Sequence, residues 1–300
     1  MTTIPRQISL SETERKDSNV DNPLRLTVRR FMRNRLAVVG LMGIITIVLI
    51  VSIGPLIIER DLAMRPQPLQ RLQNPSSEHI LGTDEVGRDI FARLIFAGRV
   101  SLGISFPAML LSIVLGTTIG VLSGFLGGLV DQILSRIMEA VLSLPSIFVL
   151  LIVGAVVRPT ILIIICVLGF LNWVDIARIL RTQVLSLREW EYVEAARALG
   201  ASKTRIIRRH ILPNIMGTVI VGMPLVIARA MLAESALSFL GLGIQPPTPT
   251  WGNMLNQAQQ HLLTNPILAV APGVMIMITV VLVNFVGDGL RDAFDHSLTV

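Results

Sequence analysis

Uncharged apolar stretches recur along this chain at lengths that suit membrane crossings. A helix rises about 1.5 Å per residue and the hydrocarbon core is about 30 Å thick, so one crossing takes about 20 apolar residues. Leu36 to Ile58 carries no charge and predicts a first span. Val100 to Val130 carries none and predicts a second. Ala140 to Val174 is interrupted only by Arg158. It is too long for one helix and predicts two spans, with Arg158-Pro159 as the turn. Ile211 to Ala228 is uncharged and continues past Arg229 and Glu234 to Leu242 as a fifth span. Leu262 to Gly287 gives a sixth. The pattern therefore predicts an all-α membrane protein with six transmembrane helices.

Composition agrees. Of 300 residues, 52% are hydrophobic and 15% charged, against about 25% charged in a soluble domain. The single cysteine, Cys166, excludes an intrachain disulfide and a thiolate metal cluster. The first span is too long for a signal-peptide core and follows a polar, basic leader without an A-x-A site, so it reads as a retained helix. Lys and Arg then set the orientation. Eight fall in residues 1–35, eight between Arg178 and Arg209, and one each at Arg136 and Arg291. With six spans these eighteen share one side, against six between Glu59 and Arg99 plus Arg158 on the other. That asymmetry predicts cytoplasmic N- and C-termini. The net charge of +6 thus reflects topology, because no basic stripe is interleaved with aromatics as nucleic-acid binding requires.

Residues 1–22 are polar and mixed in charge, which predicts a disordered cytoplasmic tail. Residues 23–35 form a basic amphipathic segment: Leu24, Val28 and Phe31 share one helical face, and Arg25, Arg29, Arg30 and Arg33 cover much of the rest. It reads either as a helix lying on the inner leaflet or as an ordinary basic flank of the first span.

Catalytic chemistry is not legible. The string Gly200-Ala201-Ser202-Lys203-Thr204 lacks the glycines of a phosphate loop, which would stand where Ser202 and Arg197 are. The histidines at 79, 210, 261 and 296 have no metal-ligand spacing, and Gly241-Leu242-Gly243 is not followed by a dinucleotide fingerprint. No metal or cofactor is expected in this chain, and any work on a substrate must draw on a partner or an ion gradient. An ion-coupled transporter would predict inverted repeats and acids in broken helices. No clear repeat is present, and Glu234 is the obvious intramembrane acid.

The segment between the fourth and fifth spans, about 181–213, carries most information. Glu189 to Leu199 is a good helix former without Gly or Pro. Gly200 suits the left-handed position that ends a helix, and Ser202 suits the cap of the next. Pro213 marks entry into the fifth span. Ala195, Ala196 and Ala198 leave a surface without bulk, which fits either a partner's groove or a solvated loop. Arg229 and Glu234 lie within the fifth span, where charge usually faces a bundle interior or water. Five residues apart, they are separated by about 140° of helix rotation and form no neat pair. They suit a polar translocation path or pairing with a sister subunit. The proline-rich loop from Gln245 to Gly252 suits a gate or a stiff re-entry.

Glu194-Ala195-Ala196, then Gly200, then Leu212-Pro213 resembles the EAA signature of ABC importer permeases, with His210 departing from the family's preferred Ile. Further segments resemble the C-type permease of dipeptide and oligopeptide importers. They are Leu81-Gly82-Thr83-Asp84-Glu85-Val86-Gly87-Arg88-Asp89, Leu237 to Pro249, Trp251-Gly252-Asn253-Met254-Leu255, and Gly287-Asp288-Gly289-Leu290-Arg291-Asp292.

The resemblance implies a type I importer permease domain over 36–298 in the bacterial inner membrane. It further implies a B-type sister permease, two ATPase subunits that bind ATP and Mg, an extracytoplasmic binding protein and a peptide substrate. It places ATPase coupling on Glu191, Glu194, Ala195, Ala196, Gly200, Leu212 and Pro213. The translocation path falls to Arg229 and Glu234, and binding-protein docking to Gly82, Asp84, Glu85, Arg88 and Asp89. Glutathione, nickel chelates and antimicrobial peptides remain alternative substrates within the same family.

Overall fold

The computed structural model describes residues 23–157 and 159–294. The expected tail at 1–22, Arg158 of the expected turn, and residues 295–300 lie outside them. Among the described residues the regular secondary structure is helical, apart from one isolated bridge between Thr83 and Asp89. Five helical stretches are long and apolar enough to cross a membrane, and a bent pair brings the number to six.

Helix α1 (Pro23–Arg33) ends at Asn34, whose side chain caps α2 (Arg35–Ile57) through the Ala37 amide. Phe31 is buried against Ala37 and Ala293, so α1 is also held by the last helix of the bundle. A short helix, α3 (Arg60–Met64), and an extended segment lead to α4 (Ile90–Leu126), capped by Asp89. The second span therefore begins ten residues earlier than the apolar pattern predicts, because α4 includes the buried Arg93. It stops at Gly127, whose φ is +67°.

The apolar stretch after Ala140 is organised differently from expectation. Helix α5 (Gly128–Ser143) is amphipathic and α6 (Ser146–Val156) apolar, and the two are bent by 76° at the Leu144-Pro145 junction. Pro145 cannot continue α5, since its ring clashes with the preceding turn. At about 16 Å, α6 alone is too short to cross. The third crossing is thus a broken one. Helix α7 (Ile161–Leu187) is longer than the apolar run that announces it.

Helices α4 and α7 form the centre. Gly116, Gly120 and Gly124 repeat every fourth residue on α4, and Trp173, Ala177 and Arg181 do so on α7. A Cβ added at each glycine would stand 2.7 Å from the carbonyl oxygen of the corresponding α7 residue. The two helices therefore run parallel, in register and with backbones touching, the close approach that small residues permit in membrane bundles. Because α4 and α7 are parallel, the α5–α6 pair has to return the chain across the bundle between them.

The remaining helices wrap this pair. A short helix, α8 (Glu191–Ala198), and α9 (Lys203–Ile206) connect through one π turn (Ile207–Ile211) to α10 (Leu212–Phe239). Helix α10 packs on α4 and α7, α11 (Trp251–Ala258) plugs the far end, and α12 (Ile267–Phe294) lies antiparallel to α2. Leu36, Val39, Met42, Ile45, Leu49, Ile53 and Leu56 of α2 stay exposed. An apolar face of this size is what a helix presents to lipid.

Replacing Gly120 by Leu puts four additional carbons against backbone that cannot yield. Overpacking costs about 1–3 kcal/mol where side chains can adjust, and more is expected here. Gly120→Leu should lower the thermal midpoint of the detergent-solubilised protein sharply or abolish its yield. Gly103→Ala on the same helix should not, because nothing lies within 4 Å of a Cβ there.

Candidate functional site

At one end of the bundle, α8 and the turn after it form an elbow. Trp190 and Tyr192 meet edge to face at 5.7 Å, and Tyr192 packs on the His210 ring at 5.7 Å. His210, where the family pattern favours Ile, is therefore part of an aromatic clamp between α8 and the π turn. Helix α8 ends at Gly200, whose φ is +79°. The Gly200 amide donates to the Arg197 carbonyl and the Ala201 amide to the Ala196 carbonyl, both at 3.0 Å, which closes a Schellman cap. The Ser202 hydroxyl then accepts from the Arg205 amide at 3.3 Å and starts α9.

The signature residues divide by face. Val193 is fully buried in the core formed by α4, α7, α9 and α10, and Ala196 and Leu212 pack against the same core. Glu191, Glu194, Ala195, Ala198, Gly200 and Pro213 are exposed, and Leu199 is 88% exposed. The outward surface is thus Ala195 and Ala198 flanked by two acids, and Ala196 is an anchor. Arg188 donates to the Gly124 carbonyl at 3.1 Å, tying the start of the elbow to the end of the glycine stripe.

The two charges of the fifth span go to different environments. Arg229 is half exposed and paired with Asp175 of α7. The apolar pattern does not single out Asp175, because it stands one residue beyond Val174, where the apolar run ends. Glu234 is fully buried and faces inward: it accepts from Ser238 at 2.8 Å and from Ser101 at 3.3 Å. Ser101 also accepts from the Trp251 amide at 3.2 Å, and the Trp251 indole donates to the Leu94 carbonyl at 3.0 Å. Glu234 thus helps seat α11 between α4 and α10. Its side chain lies off the surface that Arg229 shares with Asp175, because hydroxyls within the bundle satisfy it. The loop before α11 is equally fixed: Thr250 and Asn253 form a capping box, and Asn253 donates to the Ile244 and Thr248 carbonyls at 3.0 and 2.8 Å.

At this opposite end, residues Gly82 to Asp89 are largely turned inward. Asp84 accepts from the amides of Val86 and Arg88 at 3.0 and 2.9 Å and from Arg88 Nε at 2.7 Å, and it lies 3.0 Å from the Arg93 guanidinium. Arg93 in turn donates to Gln257 of α11 at 2.9 Å. Asp89 caps α4 and contacts His79 at 2.8 Å. Gly87 has a φ of +86°, and a Cβ there would meet the Gln67 carbonyl at 1.9 Å. Of the five residues expected to dock a partner, Asp84, Arg88, Asp89 and Gly82 are buried and only Glu85 is partly open. The exposed surface nearby is residues 71–78. The spacing of charges announced the segment, but the way they pair is a tertiary property.

The described chain is thus a bundle of parallel and antiparallel spans with a capped elbow at one end and α11 packed against α10 and α12 at the other. Residues 116–300 match the model of the binding-protein-dependent transport system inner membrane component, and residues 22–75 match that of the N-terminal transmembrane domain of oligopeptide transport permease C. The chain belongs to this family of ABC importer permeases, multi-pass proteins of the inner membrane. The dipeptide transport system permease protein DppC of Alkalihalophilus pseudofirmus is 39% identical over 277 residues, covering 92% of this chain and 91% of that protein. The protein of the same name from Bacillus subtilis is 39% identical over 271 residues, covering 90% and 84%. Among solved structures, the inward-facing MetNI methionine ABC transporter superposes with a TM-score of 0.57 at 21% identity, covering 69% of this chain and 98% of that one. The shared fold is that of a type I importer.

Asp84 offsets two buried arginines. Removing one partner of a buried ion pair costs about 3–5 kcal/mol, because the other charge is stranded. Asp84→Ala should therefore loosen the 59–89 segment and expose it to protease in the folded protein. Glu85→Ala, at a partly open position, should leave the digestion pattern unchanged.

Proposed function

We propose that this chain forms half of the translocation path of a peptide importer and is driven by two partner ATPases through α8. The observation that carries this reading is the elbow: a compact helix with a bare outer face whose inner face is anchored in the central helices. A force applied to Ala195, Ala198 and Leu199 would pass through Val193 and Ala196 to α4, α7 and α10 as rigid-body motion. Glu191 and Glu194 would meet basic groups of the ATPase, and Gly200, Leu212 and Pro213 set the exit into α10. ATP and Mg belong to those partners. The peptide substrate is supported by the names of the relatives. Glutathione, nickel chelates and antimicrobial peptides are alternatives of the same class.

The second half of the path would come from a B-type sister permease. A charge in hydrocarbon costs at least ~2.5–3.5 kcal/mol on insertion scales. A half-exposed pair such as Arg229–Asp175 is therefore better suited to a wet path or a subunit boundary than to lipid. A peptide's charged termini suit both groups. Glu234 would support the α11 plug from behind. An extracytoplasmic binding protein would dock on the surface that Gly82, Asp84, Arg88 and Asp89 hold in shape, touching Glu85 and residues 71–78. This orients both termini to the cytoplasm. Nucleic acid has no part in this reading.

Coupling is tested in the reconstituted complex with a loaded binding protein. Ala195→Trp and Gly200→Val should reduce stimulated ATP hydrolysis and transport together by roughly tenfold or more, while the spans still insert; a β-carbon at positive φ alone costs of order 1 kcal/mol, more for a branched one. Normal stimulation in both variants would remove α8 as the coupling element. Orientation is tested by thiol labelling of intact cells. Cysteines at Ser77 and Gln260 should react from outside, and one at Ser202 only after permeabilisation. Arg229→Gln should slow peptide transport while leaving assembly intact. Unchanged transport would argue against a path-lining role.

A further inference from the structure

A cavity of about 500 Å³ opens between α2, α4, α10 and α12. We propose that it binds one anionic phospholipid, with Arg99 holding the phosphate. Arg99 is the one charged residue lining it, its side chain is exposed, and no described residue partners it. Ser52 lines the same end. A Cβ at Gly98 would touch Val51 at 2.6 Å, so Ser52 of α2 and Arg99 of α4 stand at one level. The walls beyond are Ile44, Val48, Phe106 and Val283. From Ser52 to Ile44 the helical rise is about 12 Å. The cavity is therefore charged and polar at one end and mostly apolar beyond, where the Thr279 hydroxyl donates to the Met275 carbonyl of its own helix at 2.7 Å. Gly103, one turn from Arg99, has nothing within 4 Å of a Cβ and keeps it open.

This shape selects its occupant. A lone guanidinium facing an apolar cavity at the edge of a span needs a counter-charge, and its fork matches a phosphate bidentately. A polar head above an apolar tail is the chemistry of a phospholipid, and basic pockets between spans are used in this way. The peptide path is elsewhere. Pro224 and Ile227 of α10 line the cavity, whereas Arg229 lies about 140° around the helix from Pro224.

The test uses the purified complex, stripped in detergent and then exposed to mixed micelles of phosphatidylglycerol and phosphatidylcholine, with retained lipid read by mass spectrometry. The wild type should retain phosphatidylglycerol over phosphatidylcholine by roughly tenfold, the worth of one charge-assisted contact. Arg99→Gln should erase that preference and Arg99→Lys keep part of it. Gly103→Leu, which fills the cavity without touching the charge, should lower retention of both lipids. Excess glycerol 3-phosphate should not displace the lipid, because it lacks the chain. A photo-crosslinker at Phe106 should capture lipid. The proposal is overturned by no preference in the wild type, by an unchanged preference in Arg99→Gln, by displacement with glycerol 3-phosphate, or by crosslinking of Phe106 to a sister permease.

Discussion

The backbone contact between α4 and α7 is the constraint on which the rest of this structure depends. Lipid is as apolar as leucine, so burial of apolar side chains does not by itself drive helices together in a membrane. Close van der Waals approach does, and three glycines facing three carbonyls provide it along about two turns of each helix. The contact fixes α7 parallel to α4. That direction obliges the intervening chain to recross the bundle, which the bent α5–α6 pair does. It also places the ends of α4 and α7 side by side, so that Arg188 can reach the Gly124 carbonyl and start the elbow from a fixed point.

Rigidity at both ends follows from satisfied polar groups. At the elbow, the Schellman cap at Gly200, the Ser202 cap and the Tyr192–His210 stack leave α8 little freedom relative to α10. At the other end Asp84, Arg88, Arg93 and Gln257 knit the 82–89 segment to α4 and α11, and Glu234 anchors α11 from beneath. A subunit that relays motion benefits from such ends, because a loose joint would absorb displacement. The Arg229–Asp175 pair between them is the exception. It is half exposed on a surface otherwise made of apolar side chains such as Leu225, Leu232 and Phe170.

The signature residues illustrate how one motif serves two purposes. Val193 and Ala196 belong to the core, whereas Ala195, Ala198 and Leu199 lie on the surface, although all share one short helix. Spacing of about 100° per residue separates neighbours such as Ala195 and Ala196 onto different faces. A recurrent pair of alanines therefore contains one residue kept small by packing within the chain and one left bare toward the outside.

Several features were determined by the sequence alone. Charge-free runs defined four of the spans, since hydrocarbon excludes charge wherever the chain folds. Gly200 and Ser202 marked a helix end and a helix start because local backbone geometry decides both. The glycine stripe at 116, 120 and 124 is visible in the sequence as a small-residue repeat, but which helix it faces is decided by the tertiary structure. Other features were decided only in three dimensions. Pro145 breaks the third crossing at a strength that depends on how α5 and α6 pack. Asp175 becomes an intramembrane acid because α7 extends past its apolar run to meet Arg229. Glu234 turns inward because Ser101 of α4 reaches it across the bundle and joins Ser238, one turn further along α10, in satisfying it. Asp84, Arg88 and Asp89 look like surface charges in sequence and are buried, since a charge's exposure depends on which partners tertiary contacts bring within reach, and no local pattern encodes that.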